Sequence, residues 1–292
     1  MNHAVARGCR RRLRVMLAVF LLLLAAGLSL GIGGALAGGS PSPAASGGAL
    51  RVKFGTTFDA DNLNPFVGYS GTSYEIFHLN YDFLVVYATD LSPLPELATS
   101  WDTSPDGKVW TFHLRHGVTW QDGEPFTAAD VVFTYMYIIK NDLTAFTSYT
   151  NNIQKVEALD DFTVKMTCGK PKANMLRLWI PILPEHIWSK VPGDKAGKDY
   201  LNKPPIVGTG PFQVVKFVAG SYVKLVKNPY YWEEGKPAID QLVLSLYSNP
   251  DTLLATTRKQ TLNLHACSID MTFDSTDVSA SATTLVTFHI KP

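Results

Sequence analysis

The stretch 91–140 constrains the fold more than any other part of this 292-residue chain. Residues 105–107 (Pro-Asp-Gly) favour a tight turn, because proline fixes φ and glycine accepts a positive φ. A half-buried β-strand is predicted next, since apolar residues alternate with polar ones. These apolar residues are Trp110, Phe112 and Leu114. Residues 115–117 predict a second turn and residues 118–120 a short return strand, so this half of the stretch predicts a β-hairpin.

A capped α-helix is predicted in the second half of the stretch. Thr127 precedes Asp130 by three residues, a spacing at which each side chain can satisfy a free backbone N–H group at the start of a helix. The apolar residues that follow fall on one helical face; they are Val131, Val132, Tyr135, Ile138 and Ile139. The stretch is therefore interpreted as a rigid hairpin–helix unit and not as an active region.

The remainder of the chain continues this mixture of strands and helices. Residues 207–232 predict a second hairpin, in which a glycine-containing turn joins two alternating strands and Asn228-Pro229 ends the second. Further predicted segments are strands over 50–56 and 239–247, helices over 70–80 and 173–179, a hairpin over 155–167 and a polar loop over 193–203. The predicted fold class is α+β leaning towards α/β, with mixed sheets and hairpins.

The N-terminal segment has the pattern of an export signal. Five arginines lie within residues 7–14, an apolar run follows over 15–30, and Ala35 and Ala37 provide small residues for cleavage. Residues 1–37 are therefore predicted to be a signal peptide, with an uncleaved membrane anchor as the alternative. Residues 38–48 are a flexible linker by composition. The expected location is the periplasm or the outer face of the cytoplasmic membrane, with membrane association only through residues 1–37 if they are retained.

Charge excludes one class of partner. The formal net charge is +1, but the chain beyond residue 37 has 21 basic and 25 acidic residues. A mildly acidic chain without a basic stripe argues against nucleic-acid binding. Outside the predicted signal, only Cys168 and Cys267 remain. In an oxidising compartment they could pair, or they could be two separate buried thiols.

No residue pattern indicates catalysis, a metal site or a cofactor. His113 and His116 are three residues apart and would face opposite sides of a strand. Asp102, Asp106 and Asp122 are interpreted as turn carboxylates, and the motifs of common hydrolases and of phosphate-binding loops are missing. The six tryptophans could stack on sugars, but most fall on predicted apolar faces, which favours core packing. The chain is not expected to be an enzyme.

Three runs of sequence resemble one protein family. They are LATSWDTSPDGKVWTFHLRHGVTWQDGEPFTAADVVFTY at 97–135, PILPEHIW at 181–188, and GTGPF together with NPYYW at 208–232. They resemble the family 5 extracellular solute-binding proteins of ABC importers, of the oligopeptide-, dipeptide- and nickel-binding type. The resemblance covers residues 49–251. It implies a periplasmic-binding-protein-like fold (type II, cluster C), a peptide or small-solute ligand, and ABC transporter permease subunits as partners.

The resemblance also implies a second lobe that this sequence largely lacks. Family members are about twice as long and close two lobes over the ligand. Residues 252–292 are a divergent tail at the expected crossover, so residues 49–251 are expected to form the first lobe and to bind weakly or not at all unless the second is supplied. The alternatives are a truncated, non-binding fragment and, with less support, a secreted hydrolase.

Candidate ligand-binding residues follow from loop position within the resembled family. The first strand and the Leu-Asn-Pro loop at 63–65 would reach the cleft, which gives Asn64, Tyr69, Ser70 and Tyr74. The glycine-rich turn adds Thr209 and Gly210. For each of these residues the alternative is a structural role, such as a polar loop that caps a helix.

Overall fold

A computed structural model describes residues 50–88 and 90–255, together with the backbone of 256–259, 268–271, 273–274 and 285–286. The predicted signal segment 1–37, the linker 38–48 and Cys267 lie outside the described residues. Cys168 is a buried, free thiol.

The described strands fall mainly into two β-sheets. In chain order the strands are β1 (Arg51–Thr56), β2 (Val85–Tyr87), β3 (Pro93–Pro95), β4 (Ala98–Thr103), β5 (Val109–Leu114), β6 (Ile153–Asp160), β7 (Thr163–Cys168), β8 (Phe212–Val218), β9 (Tyr222–Lys227), β10 (Gln241–Leu246), β11 (Ser268–Met271), β12 (Phe273–Asp274) and β13 (Leu285–Val286).

The larger sheet is mixed and has the order β11-β1-β10-β9-β8. Strand β1 lies parallel to both β10 and β11, whereas β9 is antiparallel to β10 and to β8. The predicted hairpin over 207–232 is confirmed, and Gly220 takes the positive φ of +70° that its turn requires. Parallel pairing to β11 places the segment 268–271 beside β1, the first strand among the described residues.

The second sheet is antiparallel, in the order β4-β5-β7-β6. The predicted alternation in β5 is confirmed, since Trp110, Phe112 and Leu114 are all buried. The predicted return strand over 118–120 is wrong. Because β4 and β7 occupy both edges of β5, this segment forms only an isolated bridge from Thr119 to Pro125.

The helices connect the sheets. They are α1 (Gly71–Asn80), α2 (Ala128–Lys140), α3 (Thr147–Thr150), α4 (Glu185–Trp188), α5 (Gly193–Ala196) and α6 (Pro250–Lys259). The capping box of α2 is confirmed: the Thr127 N–H donates to Asp130 Oδ2 at 3.0 Å, and the Thr127 hydroxyl accepts from Ala129. The predicted helix over 173–179 is reduced to a 3₁₀ turn at Met175–Arg177, and the predicted loop over 193–203 begins with α5.

One hydrophobic cluster packs against both sheets. Trp120, Trp188, Tyr135 and Phe126 are among its fully buried side chains. The prediction that most tryptophans belong to the core is confirmed, and Trp179, which is 48% exposed, is the exception. Both sheets therefore share one interior and form a single lobe.

The Gln121 side chain joins the two distinctive runs of sequence. Its Nε2 donates to the carbonyl oxygens of Gly210 (3.0 Å) and Phe212 (3.1 Å), and its Oε1 accepts from the Gly208 N–H (2.9 Å). Gln121 is buried, so these backbone groups have lost water and depend on the amide. These bonds thereby hold the segment that follows β5 against the segment that precedes β8.

Replacing this side chain should destabilise the lobe. We expect Gln121→Ala to lower the free energy of unfolding by about 3 kcal/mol, because it leaves several buried backbone groups without partners. Chemical denaturation followed by tryptophan fluorescence measures the change. Gln154→Ala, at an exposed position in β6, is the matched control and should change stability by less than about 0.5 kcal/mol. Equal losses in the two variants would contradict the role given to Gln121.

Candidate functional site

The candidate site lies beyond the carboxyl ends of the parallel strands. Since β1, β10 and β11 run in the same direction, these ends meet at one edge of the larger sheet, and ligands of open α/β sheets bind outside such edges. The chain leaves β1 and reaches α1 through residues 57–70. Residues 58–61 and 69–74 together form the rim of this edge.

Asp61 organises the rim. Its carboxylate accepts hydrogen bonds from the backbone N–H groups of Tyr69 and Ser70, both at 3.0 Å, and from the Ser73 hydroxyl at 2.7 Å. Partial burial acts to raise the pKa of Asp61, but the bonds from Ser73, Tyr69 and Ser70 outweigh it and lower the pKa to about 2. The carboxylate therefore stays ionised and keeps the start of α1 against the segment that follows β1.

A further set of bonds fixes the other end of the rim. The Thr72 hydroxyl donates to the carbonyl oxygen of Phe58 at 3.0 Å, and the Gly220 N–H donates to Asp59 Oδ2 at 3.0 Å. The turn between β8 and β9 thus lies at the same edge of the sheet. This turn is therefore a third chain segment that lies next to the rim.

Three of the six predicted binding residues lie on the rim. The Tyr69 side chain is 80% exposed and that of Tyr74 is 39% exposed. Ser70 is the N-cap of α1, where its hydroxyl accepts the Ser73 N–H at 3.1 Å. Tyr69 and Tyr74 can offer ring faces and hydroxyl groups to a ligand, whereas the Ser70 hydroxyl already has partners within the lobe.

Asn64 lies inside the lobe. Its Nδ2 donates to the carbonyl oxygens of Ala196 (2.7 Å) and Tyr200 (2.9 Å), and its Oδ1 accepts from the Phe66 N–H (2.9 Å). Asn64 has no exposed surface. It ties the loop after β1 to α5, a buried position that favours the structural alternative.

Thr209 and Gly210 are also buried. The Gly210 N–H donates to the Asn80 carbonyl oxygen at 3.1 Å, and its own carbonyl accepts from Gln121 and from Asn228 Nδ2 (2.9 Å). Thr209 has no exposed surface. Within the described residues the glycine-rich turn is a buried internal contact, which favours a structural role for both residues.

Sequence reasoning missed Phe58 and Asp61 on the rim, and it missed an acidic pair, Asp82 and Glu96. Asp61 could have been found from its place between a strand end and a helix cap, where carboxylates commonly accept free N–H groups. Phe58, 61% exposed, gave no signal beyond its loop position.

The acidic pair consists of Asp82, which is buried, and Glu96, which is half-buried. Burial raises the pKa of Asp82 to about 6, opposed by a 3.0 Å bond from Trp232 Nε1 to Oδ2. Burial and the neighbouring Asp82 raise the pKa of Glu96 well above its usual range. Two carboxyl groups with raised pKa values are a common mark of a functional site, but Asp82 is buried within the lobe and only Glu96 reaches its surface in part.

The histidines at 113 and 116 are separate in the structure. His113 Nε2 lies 3.1 Å from Asp102 Oδ2, and His116 packs on the Phe162 ring at 3.9 Å between centroids. Among the described side chains, no three histidine, cysteine or acidic residues gather as metal ligands. In the same part of the chain, no helix has the length and apolarity to cross a membrane.

Two glycines give a matched test of the glycine-rich turn. A Cβ on Gly210 would lie 2.7 Å from the Asn80 carbonyl carbon, whereas a Cβ on Gly71 would meet nothing within 4 Å. We expect Gly210→Ala to cost about 3 kcal/mol of stability through this overlap. Gly71→Ala, at the start of α1, should be neutral or slightly stabilising. Thermal melts of the two variants check the difference; a harmless Gly210→Ala would mean that the turn can move away from α1.

Comparison with known proteins gives three concordant results. The family model for the middle part of the bacterial extracellular solute-binding proteins, family 5, matches residues 92–271. A putative ABC transporter peptide-binding protein of Brucella ovis is 33% identical over 224 residues, which are 75% of this chain and 40% of that protein. The chain thus spans about 40% of the length of the curated relatives that it matches first.

Two solved structures resemble the lobe. NikZ from Campylobacter jejuni in complex with Ni(L-His) is 28% identical with a TM-score of 0.63, over 77% of this chain and 43% of that one. The periplasmic binding protein DppA from Helicobacter pylori, in complex with the peptide STSA, is 28% identical with a TM-score of 0.61, over 73% and 45%. The predicted fold class is confirmed by these neighbours.

Proposed function

Because the chain belongs to the bacterial extracellular solute-binding proteins of family 5, we propose that it captures peptides outside the cytoplasm for an ABC importer. The Brucella ovis relative is named as a peptide-binding protein, and the Helicobacter pylori structure holds a four-residue peptide. The partners proposed on the same ground are the permease subunits of the importer. Export would be directed by the segment 1–37.

The observation that carries the proposal is the rim itself. Tyr69 and Tyr74 extend towards solvent beyond the carboxyl ends of the parallel strands, and Asp61 fixes the backbone that bears Tyr69. A tyrosine combines a large apolar ring with a hydroxyl group and loses little conformational entropy on binding. Peptides present both apolar side chains and backbone polar groups, so this pair suits them as ligands.

A panel of ligands tests this function. Di-, tri- and tetrapeptides, an oligosaccharide and the Ni–histidine complex are added to the purified chain, and thermal shift and isothermal titration report binding. We expect only weak stabilisation by peptides, at concentrations of about 1 mM, since this lobe is expected to bind weakly without a second one and any ligand that binds only the folded state raises its stability. Stabilisation by Ni–histidine alone would replace peptides by a metal chelate. No response to any ligand at about 1 mM, near the weak limit of specific binding, would support the non-binding alternative.

Variants of exposed tyrosines locate the ligand. We expect Tyr69→Ala to weaken peptide binding about tenfold, because a truncated aromatic contact costs more than about 1 kcal/mol at an important position. Tyr230→Ala, which removes a tyrosine 51% exposed after β9, should leave the affinity unchanged. Isothermal titration of both variants with the best peptide checks the difference. Equal affinities for Tyr69→Ala and the unchanged chain would remove the rim from the binding site.

A further inference from the structure

Four ring-bearing side chains form a row on the surface of the lobe, here called the aromatic row. They are Tyr74 and His78 on α1, Trp179 after the 3₁₀ turn, and Tyr87 at the end of β2. The centroids of the His78 and Trp179 rings are 5.5 Å apart, and those of Trp179 and Tyr87 are 6.2 Å apart. Tyr74 precedes His78 by four residues, so both lie on the same side of the helix. The row therefore begins at the rim and continues along α1.

The row is exposed at a place where the chain around it is buried. Trp179 is 48% exposed, although its neighbours Leu178 and Ile180 are both buried. Tyr74 is 39% exposed, and the other two members of the row are half-buried. Large aromatic side chains stabilise a protein when they are buried, and a group of them at the surface commonly marks a binding site.

Contacts within the lobe hold the row in place. The Tyr87 hydroxyl donates a hydrogen bond to the carbonyl oxygen of Leu176. The His78 ring stacks on the buried ring of Phe83, with 4.6 Å between the centroids. Because the lobe itself fixes these rings, a ligand would lose little free energy by ordering them.

The imidazole of the row is uncharged. His78 Nδ1 lies 2.8 Å from the Tyr74 carbonyl oxygen, and a carbonyl only accepts, so Nδ1 carries the hydrogen. Burial lowers the pKa of His78, although the bond to Tyr74 acts in the opposite direction. At neutral pH Nε2 is therefore an acceptor. Uncharged rings with a single polar atom are a typical lining for a mainly apolar part of a ligand.

We propose that the aromatic row binds an aromatic side chain of a peptide whose other residues contact the rim, so that the chain prefers peptides with such a residue. The inference rests on the proposed function, because it extends the rim site along α1. Tyr74 belongs to both the rim and the row, and His78 is one helical turn, about 6 Å, further on. An extended peptide advances about 3.3 Å per residue, so three or four residues reach from Tyr74 to Trp179.

A pair of tripeptides tests the preference. Ala-Phe-Ala and Ala-Ala-Ala differ only in one ring, and saturation-transfer-difference NMR with the full chain measures affinities in the millimolar range. We expect Ala-Phe-Ala to bind about fivefold more tightly, because an aromatic ring gains free energy from pairing with other rings as well as from burial. The strongest saturation should fall on the phenylalanine ring protons.

Variants separate the row from the rim. Trp179→Ala should lower the affinity for Ala-Phe-Ala to that for Ala-Ala-Ala, whereas Trp179→Phe, which retains a ring, should keep most of the preference. Tyr69→Ala should weaken both tripeptides by the same factor. Tyr230→Ala, which removes a tyrosine that is 51% exposed, is the matched control and should keep the full preference. Circular dichroism checks that each variant is folded.

The outcomes distinguish this inference from the function on which it rests. Equal binding of the two tripeptides, or an unchanged preference in Trp179→Ala, would overturn the aromatic row alone. No binding of either tripeptide, or of any other peptide, would overturn the proposed function and the row with it. Tighter binding of maltotriose than of Ala-Phe-Ala would assign the row to carbohydrate. Self-association of the unchanged chain in sedimentation velocity, abolished by Trp179→Ala, would assign it to a second copy; either result would reject the peptide.

Discussion

The hydrogen bonds between the Gln121 side chain and the glycine-rich turn hold the two halves of this lobe together. A primary amide can donate two hydrogens and accept at its oxygen, which matches the one N–H and two carbonyl groups that the turn presents. The turn can approach α1 closely because Gly208 and Gly210 have no side chains; a Cβ at either position would meet the backbone of Asn80. The backbone groups of the turn therefore need the Gln121 amide as their partner, and the turn can lie this close to α1 only with glycine at positions 208 and 210.

The sequence predicts the local elements well, and the reason is visible in their residues. The alternation around Phe112 and the capping box of Thr127 are local signals, and both are found in the structure. The return strand over 118–120 was predicted from the same kind of pattern and is wrong. Its outcome depended on which strands occupy the edges of β5, and β7 lies more than forty residues further along the chain. Pairing between distant strands leaves no local pattern.

The candidate site was predictable only in part. Loop position gave Tyr69 and Tyr74 on the rim, but it also gave Asn64 and Thr209, which are buried. A short polar residue in a loop serves equally well to satisfy buried backbone groups and to face a ligand, and the local sequence is the same in both cases. Only the position of Ala196 and Tyr200, far along the chain, shows that Asn64 has its partners inside the lobe.

The same distinction applies to the distinctive runs of sequence. Gln121, Gly210, Asp82 and Trp232 lie in such runs or contact them, and each makes interior contacts for which few other side chains have the right atoms. Tyr69 and Tyr74 lie outside the longest run. Because their rings are exposed, packing inside the lobe constrains these two side chains little. A distinctive run therefore identifies the fold, because interior contacts restrict the choice of residue most strongly in such a run. The surface that selects a ligand is better sought among side chains whose exposure the fold does not require.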